Sequence, residues 1–119
     1  MAIEKLEKKD NIVIWMYNEN SIKITKKKII DYLYNKEEKL ILLIFEDEDI
    51  YPVLEGINED GTLRFYFKSI DEMGVSRFTS HPYIDIPVIG WQKEDDLYTD
   101  YYFSANPING ELTKHFRAY

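Results

Sequence analysis

Cysteine is absent from the 119 residues, which excludes disulfides, thiolate metal ligands and a thiol nucleophile. The five glycines are scattered. They form neither G-x-G-x-x-G nor G-x-x-x-x-G-K, so no loop is built to cradle phosphate. A G-x-S-x-G nucleophile elbow is also missing. His81 and His115 are the only histidines, and no pair stands at i, i+4 for zinc. No apolar run exceeds six residues, far short of the roughly 20 that a spanning helix needs. The first five residues, Met1-Ala2-Ile3-Glu4-Lys5, lack the apolar core of a secretory leader. The expectation is a cytoplasmic protein with no membrane partner, no cofactor and no metal.

Apolar material is plentiful: 45% of the chain is hydrophobic and 15% aromatic, with ten tyrosines. That suffices for one packed domain over residues 1–119 and is too much for a disordered chain. The net charge is −7, a surface that repels phosphate backbones and speaks against direct nucleic-acid binding. The acidity is uneven. Residues 1–45 carry nine Lys against seven Asp or Glu, whereas residues 46–119 carry six Lys or Arg against fifteen. Two clusters lead it, Glu46-Asp47-Glu48-Asp49 and Glu94-Asp95-Asp96, with Asp100 close behind. Such clusters ordinarily sit on solvated turns, and they can also steer a basic partner.

Residues 12–17 and 40–45 are continuous runs of β-formers, the pattern of interior strands buried on both faces. In residues 25–35, Ile29, Ile30, Leu33 and Tyr34 recur at i, i+1, i+4, i+5, which predicts a helix with Thr25 as N-cap. Lys26, Lys27 and Lys28 in its first turn oppose the dipole. Residues 50–57 and 62–68 read as a hairpin turning through Asn58-Glu59-Asp60-Gly61, where Gly61 takes a positive φ. In its second arm Leu63, Phe65 and Phe67 are expected inward. Ser69-Ile70-Asp71-Glu72 has capping-box spacing and predicts a short helical turn. Further strands are predicted at 84–91, 97–104 and 111–117, the first demoted to an edge or bulge by Pro87. The fold class expected is α+β: a mainly antiparallel sheet of about six or seven strands with one principal helix packed on it.

Nothing in the spacing of His81 and His115 brings them together for acid–base catalysis. Glu46 to Asp49 are consecutive and lack the alternate oxygen ligands of a calcium loop. No catalytic residue is therefore assigned, and the protein is not expected to be an enzyme. What remains is tyrosine beside acid. In residues 97–103, Tyr98, Asp100 and Tyr102 share one face, while Leu97, Thr99, Tyr101 and Phe103 share the other, of which Leu97 and Phe103 want the core. Tyrosine offers large contact area at low entropic cost. The candidate partner-binding set is thus Glu94, Asp95, Asp96, Tyr98, Asp100 and Tyr102, extended by Glu46, Asp47, Glu48 and Asp49 if both turns lie at one end of the sheet.

In size, acidity, tyrosine content, lack of cysteine and the expected α+β pattern, the chain resembles the small immunity proteins of bacterial polymorphic and contact-dependent toxin systems. The resemblance implies a cytoplasmic antidote that binds and neutralises a basic toxin domain, often a nuclease. Three other classes compete with it. One is a phage or mobile-element inhibitor that mimics DNA. Another is a small ligand-binding or enzymatic domain using His81, His115 and tyrosine hydroxyls, which a concave pocket with convergent polar groups would favour. The last is a structural or housekeeping domain with no anionic site.

Overall fold

In the computed structural model, which describes residues 3–48 and 50–118, all regular structure is β and no helix occurs among the described residues. Asp49, one of the candidate contact residues, lies outside them. Strands β1 (Glu4–Lys9), β2 (Ile12–Tyr17) and β3 (Asn20–Thr25) form an N-terminal sheet. The middle sheet contains β4 (Lys28–Asn35), β5 (Leu40–Glu46), β6 (Val53–Asn58) and β7 (Leu63–Lys68). The C-terminal sheet contains β8 (Met73–Phe78), β9 (Pro87–Glu94), β10 (Leu97–Ala105) and β11 (Leu112–Arg117). Each sheet is an antiparallel meander in which neighbours in sequence are neighbours in space.

Strand β5 fixes how the sheets stack. Its side chains alternate between two faces. Leu40, Leu42 and Ile44 join Leu54 and Phe65 against Val75, Val88 and Ala105 of the C-terminal sheet. Ile41, Leu43 and Phe45 join Val53 and Ile57 against Val13 and Trp15 of the N-terminal sheet. The middle sheet is therefore covered on both sides, and residues 40–45 are all buried. Between the middle and C-terminal sheets, the Phe65 ring lies where only glycine leaves room: a Cβ on Gly56 or Gly110 would come within 2.4 or 2.5 Å of it. The buried Glu55 carboxylate is matched by Lys26 Nζ at 3.0 Å, which also lies 4.3 Å over the Phe45 ring.

The α+β expectation is overturned. The segment expected as the principal helix is β4, and its apolar spacing has another cause. Ile29 pairs with Phe45 and Asp31 with Ile44, leaving Ile30 as the extra residue of a bulge. Beyond the bulge, Tyr32 and Tyr34 face the N-terminal sheet while Leu33 faces the other way. A strand that is apolar on both faces and contains one inserted residue reproduces the i, i+1, i+4, i+5 pattern of a helical stripe. The Asp31 carboxylate then accepts a hydrogen bond from the Phe78 backbone N–H at 2.8 Å, joining β4 to β8.

The helical turn expected at 69–72 is also absent. Ser69 is buried, and its hydroxyl accepts from the Val75 N–H at 3.0 Å rather than capping a helix. Pro87 opens β9, which lies between β8 and β10, so β9 is an interior strand and not an edge. Leu63 and Leu97, expected inward, are 59% and 71% exposed, each being the first residue of its strand and beyond the cover of the stack.

Candidate functional site

The β9–β10 hairpin turns through two residues. Glu94 pairs with Leu97 across it, and Asp95 and Asp96 both take positive φ, 49° and 65°. Aspartate tolerates this backbone because its short polar side chain bonds locally, and the turn matches the strand twist. Both carboxylates stand exposed at the tip. Behind them β10 alternates as its sequence predicts: Tyr101 and Phe103 are buried, while Tyr98, Asp100 and Tyr102 occupy the outward face. The Tyr101 hydroxyl donates to Glu94, and that bond, together with burial, pushes the phenol up.

Asp71 is the centre of the face. It lies in the connection from the middle to the C-terminal sheet and accepts from three donors: the Tyr98 hydroxyl, Lys93 Nζ at 2.9 Å and the Tyr51 hydroxyl at 3.3 Å. The Tyr98 hydrogen bond and then Lys93 hold its carboxyl below the usual aspartate range. Reciprocally, Asp71 raises both Tyr98 and Lys93. The Asp71 carbonyl accepts from Trp91 Nε1 at 3.3 Å, and the Trp91 ring lies 6.5 Å from that of Tyr51.

Tyr51 belongs to the β5–β6 connection, which carries Asp47 and Glu48 just after Glu46 ends β5, whereas Lys93 and Tyr98 belong to the β9–β10 hairpin. Their meeting at Asp71 brings the two acidic segments to one end of the stack. A shallow cleft there is lined by Asp47, Glu48, Tyr51, Val53, Tyr66 and Lys68. Glu46 is withdrawn from this set, half-buried with Lys28 Nζ at 3.5 Å. Tyr66 adds exposed apolar surface to the cleft, and Ile50 and Ile70, next in sequence to Tyr51 and Asp71, are exposed as well.

Tyr98 and Tyr102, grouped by sequence as a shared contact, diverge in the fold. Tyr98 leans onto Asp71. Tyr102 packs with His81 and Phe116, at ring separations of 5.2 and 5.3 Å. His81 also lies 5.2 Å from Phe116 and accepts the Tyr83 N–H at Nδ1, 3.2 Å away. His115 sits 6.5 Å from the same Phe116 ring, its Nε2 3.0 Å from Ser104 Oγ. Both histidines thus reach one outward aromatic group through the β10–β11 register and the loop before β9, neither of which was legible in their spacing. Sequence reasoning also missed Tyr51, Asp71 and Lys93. An isolated Asp inside an apparent capping box gives no signal of a hub.

Among the described residues, no group of three or more His, Asp or Glu is placed to hold a metal ion, and no helix is long and apolar enough to cross a membrane. Compared with known proteins, the chain matches no family model, no curated protein and no solved structure. The resemblance to immunity proteins, and the description as a toxin inhibitor that came with it, therefore gain no support from that side. The site is argued from its geometry.

Proposed function

We propose that this protein is a binding module for a basic protein and acts by covering that partner's cationic surface, as an antidote would cover a basic nuclease toxin in the cytoplasm. The observation that supports this reading most is the convergence at Asp71. Through it, the connection bearing Asp47 and Glu48, beside the exposed Tyr66, is tied to the hairpin bearing Glu94, Asp95 and Asp96, beside the exposed Tyr98. Charged rims act mainly on encounter rate and specificity, and desolvated tyrosines act on dissociation. A partner that must hold phosphate is basic and so fits such a surface. No catalytic residue and no cofactor enters the reading.

The test is capture of a protein from an extract of the native cells on the immobilised chain, with elution in salt steps. The eluted partner should be basic. Neutralising Glu94, Asp95, Asp96 and Asp47 should slow its association and flatten the salt dependence, while Tyr98→Ala should speed dissociation. A partner that binds both variants at wild-type rates overturns the assignment.

A further inference from the structure

We propose that Asp100 is the seat of an arginine side chain from that basic partner, a carboxylate left unpaired between two aromatic groups. The inference rests on the reading above and names the chemical group recognised. Two aspartates, Asp71 in the β7–β8 connection and Asp100 on the outward face of β10, are treated oppositely. Asp71 receives three donors. Asp100 is exposed, and among the described residues its carboxylate has no hydrogen-bond or ion-pair partner. The cations that could have reached it are engaged elsewhere. Lys93 is on Asp71, Lys114 lies 4.6 Å over the ring of the inward-facing Tyr101, and Arg117 stands opposite that same inward-facing Tyr101 in the β10–β11 pairing. Arg77 stands on β8, separated from β10 by β9.

The surroundings of Asp100 are shaped by register. Along β10 its same-face neighbours are Tyr98 and Tyr102, each two residues or about 7 Å away. The Tyr98 hydroxyl is held by Asp71 and the Tyr102 ring packs with His81 and Phe116, so neither tyrosine bonds the carboxylate between them. Across β9 the opposite residue is Trp91, whose ring is drawn away over Gly74, where a Cβ would come within 2.4 Å of it. On the other side lies Ala118, whose backbone N–H donates to the Asp100 carbonyl at 3.0 Å and whose side chain is a single methyl. The carboxylate is exposed, with a tyrosine on either side of it along the same strand face. A guanidinium suits it better than an ammonium. Its planar fork gives two parallel hydrogen bonds to one carboxylate, and its weakly hydrated faces stack on rings. An exposed carboxylate alone would contribute little; the flanking rings strip water from the pair once a partner covers them.

Capped hexa-arginine and hexa-lysine peptides serve as probes, titrated at low ionic strength into the full chain while amide shifts are followed by NMR. Hexa-arginine should bind more tightly and move the amides around Asp100. Asp100→Asn, isosteric and exposed, should leave the melting temperature unchanged, weaken hexa-arginine about fivefold and remove its advantage over hexa-lysine. Asp95→Asn with Asp96→Asn should weaken both peptides alike. If Asp100→Asn keeps the arginine preference, or both peptides bind equally and respond only to the tip variant, the seat is refuted while the acidic docking surface stands. If neither peptide binds, the wider reading falls with it.

Discussion

Strands β2 and β5 begin as near twins in sequence and end in different environments. Each is a continuous run of β-formers and each becomes an interior strand of its sheet. Yet residues 40–45 are sealed on both faces, whereas β2 buries Val13 and Trp15 and leaves Ile12, Ile14 and Met16 half-buried. Composition does not separate them; layer does. The middle sheet has a sheet on either side, and the N-terminal sheet has one. On its outward face Ile12, Ile14 and Met16 lie opposite Lys9, Glu7 and Glu4 on β1 and opposite Thr25, Lys23 and Ser21 on β3. The aliphatic stems of these flanking residues shield the row without closing it. The outward face of the C-terminal sheet is the other place where side chains escape the core, and it carries the tyrosines and aspartates to which a function is assigned above.

The sharpest way to break this comparison is to remove side-chain volume from both strands. Leu42→Ala opens a cavity where β5 meets the C-terminal sheet and should cost roughly 2–5 kcal/mol in urea unfolding. Trp15 is fully buried and donates Nε1–H to the Glu59 carbonyl at 2.7 Å, tying the N-terminal sheet to the β6–β7 turn. Trp15→Phe should cost about 1–3 kcal/mol, because it strands a buried acceptor. Ile14→Ala on the outward side of β2 should cost about 1 kcal/mol or less. An Ile14→Ala loss equal to that of Leu42→Ala would mean that the outward face is covered in solution, and the contrast between layers would fail.

The same contrast explains what could be read without coordinates. The two long apolar runs, the Gly61 turn and the alternation of β10 are local patterns, and each gives its strand or turn correctly. Strands β1 and β3 escaped notice because they are edge strands, rich in exposed charged and polar residues, and show no apolar alternation strong enough to compete. β4 was misread because burial on both faces erases period two and the bulge at Ile30 shifts what remains. The candidate site divides along the same line. Glu94, Asp95 and Asp96 are contiguous in the chain and so are together in space. Their meeting with Asp47 and Glu48 depends on Asp71, which reaches Tyr51 and Tyr98 from different sheets. Long-range placement of that kind leaves no periodic trace.

The smallest effect is expected at Asp71, and it sharpens the comparison because its network lies on the open face. The carboxyl and Lys93 are both partly exposed, so solvent screens the pair and the bonds position Tyr51, Lys93 and Tyr98 more than they hold the fold. Asp71→Asn should therefore shift the urea midpoint only slightly at neutral pH. The pH dependence has a definite sign. Tyr98, then Lys93, hold the folded-state carboxyl below the ordinary aspartate value of about 3.9. Its contribution is then present above that value and lost as pH falls through the lowered one. The gap between wild type and Asp71→Asn should stay constant from pH 7 down to about 4 and close below it. Tyr98→Phe removes the leading cause while keeping the ring, so an NMR titration of Asp71 in that variant should move its midpoint up toward the ordinary value. An Asp71 midpoint unmoved by Tyr98→Phe would show that the hydroxyl does not bond the carboxylate in solution, and the joining of the two acidic segments through Asp71 would lose its main strut.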